Sequence, residues 1–203
     1  NKKKLTVITN SIENLLELSD ISEWDIISTG GMLKGDSMSF LGVKAADSIE
    51  QYNADKVFFI GVGRVKLELE AFAKRLAHLG IKTHIVGDIN EPAMTDKDIL
   101  VVGSGSGESL VPVAIAKKAK SIGGKIIHIG SNPHSSLAPI TDLMVRIPVQ
   151  TKLYLEDEIS SNQPMSSLFE QSLLLLGDIV AKMIVERKQI NLKSLWQYHA
   201  NLE

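Results

Sequence analysis

Cysteine is absent from the 203 residues. Its absence removes disulfide frameworks, thiolate nucleophiles and sulfur-ligated zinc, and it suits a reducing, cytoplasmic setting. An excess of positive charge is missing too: 22 Lys and Arg stand against 24 Asp and Glu, for a formal net charge of -2. The only basic run is the opening "NKKK", so no electrostatic footprint for nucleic acid is present. Long apolar runs are lacking as well. The nearest, Leu173 to Val185, is interrupted by Asp178 and Lys182 and is too short to span a bilayer. Behind the N-terminal lysines, "LTVIT" gives about five apolar residues, below the roughly 7 to 15 of a secretory signal. Neither membrane nor nucleic acid is therefore expected as a partner. What is present, 44% hydrophobic and 23% charged residues, suffices for one α/β domain with its own core.

Short β-branched runs alternate with helical patterns along the chain. The strand candidates are "LTVIT", "WDIIS", "VFFIG", "THIVG", "ILVVG", "KIIHIG" and "LMVRIP"; between them lie "IENLLELS", "VKAADSIEQY", "LELEAFAKRLAHLG" and "LVPVAIAKKAKSIGG". Uninterrupted apolar strands separated by helices imply a largely parallel sheet covered on both faces. The expected fold is α/β: a doubly wound, mostly parallel, three-layer α/β/α sandwich of Rossmann-like type with two extra N-terminal strands. Gly80, Gly123 and Gly124 follow helical patterns where a left-handed residue is wanted. Residues 148–163 have no steady period and carry Glu156, Asp157 and Glu158. With no histidine at ligand spacing, this cluster reads as a solvated turn, and no metal is expected. Ser167 to Arg187 forms a long helix that is apolar around most of its circumference. Such a helix must be buried centrally or between subunits, and it predicts a homo-oligomer, dimer or tetramer.

The strongest local signal is "ILVVGSGSGESLVPVAIAKKA". A buried strand delivers Gly103 through Ser109 to the start of a helix, so backbone N–H groups and hydroxyls converge at its positive end, an arrangement that binds anions and phosphate above all. No Lys follows the glycines and the GxGxxG register fails, so neither a Walker loop nor a dinucleotide fingerprint is present. Glycine and serine also make ordinary βα turns. Two other turns leave the same sheet edge, "GSNPHSS" with Ser131 and Asn132, and "GVGR" with Arg64. Loops at the carboxyl ends of parallel strands line one crevice, so the three could meet around one ligand. Glu170 is the odd residue of its helix, a carboxylate among Phe169, Leu173 and Leu174. Burial would suit it to proton transfer near neutral pH; alternatively it lies at the solvent margin of a first helical turn that favours acids. His199 stands in the terminal "WQYHANLE", where Trp196 and Tyr198 suggest docking.

Several stretches resemble one family closely. "FAKRLAHLGIKTHIVGD", the "SGSGE" loop, "QPM" before "LFEQ", and the closing "HANLE" together resemble 6-phospho-3-hexuloisomerases, members of the sugar isomerase (SIS) domain superfamily, over about residues 61–203. Residues 1–60 instead resemble the first, βαβα half of the sugar-phosphate-sensing domain of DeoR-type transcription regulators, through "VITNS", "GG" and "SFLG". The likeness does not extend to the winged helix of those regulators, so DNA binding is not carried over. Two resemblances that divide near residue 60 are those expected of a chimera, folding as one domain.

The first resemblance implies an enzyme that interconverts D-arabino-hex-3-ulose 6-phosphate and fructose 6-phosphate through a cis-enediol, without metal or organic cofactor. It implies that Ser104, Ser106, Ser109, Ser131 and Asn132 hold the phosphate and substrate, with Arg64 facing the same crevice. It implies Glu170 as general base and His199 as a second proton-handling group, often brought by a neighbouring subunit. One departure is visible: relatives commonly read Gly-Arg-Ser after the first strand, whereas Val65 follows Arg64 here. The alternative expectation is a catalytically weak sugar-phosphate-binding protein.

Overall fold

The computed structural model describes residues 6–9, 25–28, 32–34, 39–41 and 54–202. The backbone divides into two compact units, Asn1–Asp47 and Ser48–Glu203, and each is taken by itself. In the first, β1 (Thr6–Thr9) and β2 (Asp25–Ser28) pair in parallel with each other, as "LTVIT" and "WDIIS" suggest. Two further three-residue strands, β3 (Met32–Lys34) and β4 (Ser39–Leu41), pair antiparallel where no strand is expected. The helices anticipated over "IENLLELS" and "VKAADSIEQY" lie outside the described residues.

The second unit is built on a five-stranded, all-parallel sheet in the order β6-β5-β7-β8-β9. Its strands are β5 (Val57–Ile60), β6 (Thr83–Ile85), β7 (Ile99–Gly103), β8 (Lys125–Gly130) and β9 (Leu143–Arg146). All four residues of β5 and all five of β7 are buried, as continuous apolar runs in a sheet covered on both faces must be. Successive side chains point to opposite faces. Phe58, Ile60, Leu100, Val102 and Ile126 form one core with Ala116 and Ala119 of α2 (Leu110–Ile122). On the other face Phe59 meets Phe72 of α1 (Arg64–His78) edge-on, ring centroids 5.5 Å apart. The three layers anticipated from the sequence are therefore present.

A third helix, α3 (Ser167–Arg187), packs along α1 and buries Phe169, Leu173, Val180, Met183 and Ile184. Gly177 permits the close approach, since a Cβ there would stand 2.9 Å from the Phe72 ring. The rest of its apolar circumference, Leu174, Leu175 and Ile179, stays exposed on the single chain. After α3 a 3-10 segment, Leu192–Tyr198, lays the Tyr198 ring over Gly80, so the tail docks as its aromatics suggest. Among the described residues no helix is long and apolar enough to cross a membrane.

Sequence punctuation explains the ends. Gly123, at φ 96, supplies the left-handed C-cap of α2. Asp98, wholly buried just before β7, accepts from the Thr95 N–H at 2.7 Å and hydroxyl at 2.9 Å, and pairs with Lys56 Nζ at 3.0 Å. Burial works to raise its pKa, but the Thr95 N–H, the Lys56 ammonium and the Thr95 hydroxyl outweigh it and hold the carboxyl below the usual range. A carboxyl depressed in the native state contributes stability above its unfolded value, near pH 4, and loses it as pH falls through the lower native value. Asp98→Asn is accordingly expected to be less stable at pH 7 and to show a shallower loss of stability below about pH 4. Urea titrations across pH measure this; parallel curves for the two proteins would contradict it.

Candidate active site

The order of strands fixes where a ligand can sit. From β5 the chain passes to β6 on one side and then to β7 on the other, so the crevice opens between the carboxyl ends of β5 and β7. Those ends are Gly61–Arg64 and Gly103–Ser109. A cleft of about 140 Å³ lies there, lined by Val62 and Val65 after β5, Ser104 to Ser106 and Ser109 after β7, Thr151 and Lys152 after β9, and Ser166, Phe169 and Glu170 at the start of α3.

The serine loop is held by hydrogen bonds at almost every residue. Ser104 N–H donates to the Ile129 carbonyl at 3.0 Å, extending the β7–β8 ladder one step beyond β7. The Gly107 N–H donates to both the carbonyl and the hydroxyl of Ser104, each at 3.1 Å. Ser104 Oγ meets Ser109 Oγ at 3.3 Å, and Glu108 N–H donates to Ser106 Oγ at 3.3 Å. Beneath the loop, His128 Nε2 stands 2.9 Å from the Ser104 carbonyl. A carbonyl only accepts, so that nitrogen carries the hydrogen. Burial keeps the ring neutral by pushing its pKa down, against the smaller opposing effect of this bond. Ser109, the N-cap of α2, makes no side-chain cap bond, which leaves the first-turn N–H groups to a ligand.

Glu170 forms the opposite wall. It is 7% exposed, which decides between the two readings of its position in favour of burial. Arg64 Nε lies 3.1 Å from its Oε2, and Arg64 Nη1 reaches Ser167 Oγ at 3.5 Å. The ion pair is close but poorly directed, and Oε2 makes no hydrogen bond. The cleft thus offers hydroxyls and N–H groups on one side and a buried, cation-paired carboxylate on the other.

Comparison with known proteins agrees with this geometry. The SIS domain family profile matches residues 51–175, and that of the DeoR C terminal sensor domain matches residues 1–95. The 3-hexulose-6-phosphate isomerase of Bacillus subtilis is 37% identical over 169 residues, covering 82% of this chain and 91% of that protein. The chain belongs to this family of SIS domains. A hypothetical protein from Methanococcus jannaschii, whose crystal structure infers a molecular function of 3-hexulose-6-phosphate isomerase, superposes with TM-score 0.68 at 32% identity, over 79% of this chain and 86% of that one. A protein of E. coli in complex with a sugar phosphate superposes with TM-score 0.62 at 27% identity, over 78% and 83% of the two chains. At the other end, an HTH-type transcriptional regulator of Bacillus subtilis is 47% identical over 55 residues, 27% of this chain and 21% of the regulator.

Within the SIS domain, Ser104, Ser106, Ser109 and Glu170 share the cleft, and Arg64 touches Glu170. Ser131 and Asn132 do not line it. Their N–H groups donate to the Gly105 carbonyl at 2.8 and 3.2 Å, and Asn132 Nδ2 donates to the Ser106 carbonyl at 3.2 Å; in the single chain they brace the loop from behind. His199 is elsewhere. It lines a separate groove of about 440 Å³ with Arg75, Asp178 and Trp196, stacked on His78 at 5.3 Å. The residues of α3 in that groove, Asp178 to Val185, lie roughly 12 to 22 Å along the helix from Glu170. One chain therefore does not unite Glu170 with His199.

Sequence reasoning missed Thr151 and Lys152. The signal was available: every strand of a parallel sheet sends its following loop to the same edge, and residues 148–163 follow β9. The acidic cluster in that loop is also not simply solvated. Glu158 accepts from Thr151 N–H and Oγ1 at 3.1 and 2.8 Å and from Leu155 N–H at 3.0 Å. Among the described residues no cluster of His, Asp and Glu could hold a metal ion.

Gly107 is the residue on which the loop conformation turns. Its φ is 68, and a Cβ would stand 2.3 Å from Ser135 Cβ and Oγ. Gly107→Ala is expected to cost at least about 2 kcal/mol, because a left-handed backbone and a steric overlap add. Urea unfolding checks this; an unchanged midpoint would show that the loop relaxes freely.

Proposed function

We propose that the protein is a phosphosugar isomerase that interconverts D-arabino-hex-3-ulose 6-phosphate and fructose 6-phosphate, with the activity residing in residues 61–203. The observation that carries the reading is the buried Glu170 carboxylate, with one oxygen free of hydrogen bonds, on the wall of a cleft whose floor is the serine loop. The family relationship and the sugar-phosphate complex of a relative support a sugar phosphate as the ligand.

The chemistry follows from the two sides of the cleft. The serine hydroxyls, loop N–H groups and positive end of α2 hold the phosphate, which fixes the carbon chain against the opposite wall. In the direction of fructose 6-phosphate, Glu170 takes the proton from C2 of the 3-ulose. The C2–H electron pair forms the C2=C3 double bond and the C3 carbonyl oxygen gains a proton, giving the enediol. Return of a proton to C3 and loss of the proton from the C2 hydroxyl place the carbonyl at C2. No electrons leave the substrate, so the reaction is redox-neutral. Arg64, 3.1 Å from Glu170 Oε2, holds the carboxylate toward the sugar and balances its charge within the buried wall. A second group must pass protons between the adjacent oxygens, and His199 of another copy of the chain is assigned that role.

A weaker binding protein is the second reading, favoured by two observations. Glu170 and His199 are apart in the single chain, and Val65 lines the cleft where relatives commonly carry a hydroxyl.

A coupled assay for fructose 6-phosphate formation tests the proposal. Turnover is expected from the protein as an oligomer of defined mass by light scattering; thermal stabilisation by the sugar phosphate without turnover would leave only the binding reading. Glu170→Gln is expected to lower kcat by about 10²- to 10⁴-fold with ligand stabilisation retained, and an equally active variant would remove Glu170 as the base. Where the site is shared, mixing the inactive Glu170→Gln and His199→Gln variants restores part of the activity through hybrid oligomers. Absence of recovery, with subunit exchange shown by mass, would overturn the sharing.

A further inference from the structure

The cleft is rich in neutral donors and poor in available positive charge. A phosphate monoester carries close to two negative charges at neutral pH. Arg64 already faces the buried Glu170 at 3.1 Å, and moving it to a phosphate would leave an uncompensated carboxylate in a buried wall. Ser104, Ser106 and Ser109 bring hydrogen bonds but no charge. One other cation lines the cleft, Lys152.

We propose that Lys152 supplies the countercharge for the substrate phosphate, closing the serine loop from the β9 side, while Arg64 serves Glu170. The inference rests on the sugar-phosphate reading of the same cleft. Lys152 forms no ion pair among the described residues, so its ammonium is not claimed by a carboxylate. Its field does reach the serine loop. Glu108, held low chiefly by the Ser136 hydroxyl and N–H, is pulled lower still by Lys152.

The backbone that carries Lys152 is pinned on both sides. Thr151, 3% exposed, is clamped through its N–H and Oγ1 by the Glu158 carboxylate. The Leu153 N–H donates to Thr151 Oγ1 at 3.3 Å, and Tyr154 N–H to the Thr151 carbonyl at 3.3 Å. The Thr151 methyl lies where only a glycine at 105 admits it, since a Cβ there would be 2.9 Å away. The anion loop and the lysine loop are thus packed backbone against side chain. A flexible four-carbon stem on a fixed root delivers a point charge without rigid geometry, which suits a phosphate held mainly by other donors.

Calorimetric titration with fructose 6-phosphate, repeated at several salt concentrations, tests this. Lys152→Met keeps the stem and removes the charge; it is expected to weaken binding by about 10- to 100-fold, charge-assisted hydrogen bonds being the strong ones. The dependence of affinity on salt should become shallower, and the melting temperature of the unliganded protein should not change. Lys152→Arg should return affinity to within a few-fold of the parent. Binding by Lys152→Met within twofold of the parent, with the same salt dependence, overturns the inference and leaves the sugar-phosphate reading intact. So does a loss that Lys152→Arg does not restore, because charge is then not the cause. Failure of the unaltered protein to bind fructose 6-phosphate overturns the sugar-phosphate reading and the inference together.

Discussion

The parallel pairing of β5 with β7, Val57 opposite Ile99 through Ile60 opposite Val102, is the constraint on which the rest of the structure depends. It puts two strand ends side by side whose following helices leave for opposite faces, α1 to one and α2 to the other. Adjacent loops that diverge in this way leave a crevice that no side chain of the sheet fills. A slip of one residue in this pairing would turn every apolar side chain to the wrong face, and full burial of both strands forbids it.

Holding the loop still is the second requirement, and it explains the polar residue in β8. His128 is wholly buried between apolar neighbours, with Nδ1 lacking a partner. Such a group costs stability, yet its Nε2–H and the Gly107 N–H both end on the Ser104 carbonyl. The carbonyl that would otherwise swing with the loop is fixed from below by the sheet and from above by the turn. The hydroxyls beside it are pre-oriented before any ligand arrives, so binding does not have to supply the ordering.

Legibility in the sequence followed the range of the interactions. The five sheet strands and the glycine-serine loop were readable because each is a local pattern, an apolar run or a glycine at a turn. Glu170 was readable as a carboxylate among leucines, but not its Arg64 partner, which comes from another helix. Lys152 was obscured by an acidic neighbourhood that looks solvated and in fact folds back: Glu158 satisfies three donors of its own loop. The place of Ser131 and Asn132 behind the serine loop depends on which face of a turn meets a neighbouring strand, and periodicity carries no such information. Strands β3 and β4, three residues each, fall below the length at which alternation is detectable.

The position of His199 bears on the size of the functional unit. Glu170 stands in the first turn of α3 and the His199 groove lies beside its second half, so the separation is set by a helix and no rotamer change closes it. Residues 188–199 could reach back when extended, about 40 Å at full stretch. Doing so would strip the Tyr198 ring from Gly80 and separate His199 from His78, losing the docking that orders the tail. A second copy removes this conflict, since its tail can stay docked on its own helices while His199 faces the neighbour's cleft. The same step gives the exposed Leu174, Leu175 and Ile179 of α3 a reason to be apolar, because a helix that must present a docked tail to another subunit also needs a surface on which that subunit can rest.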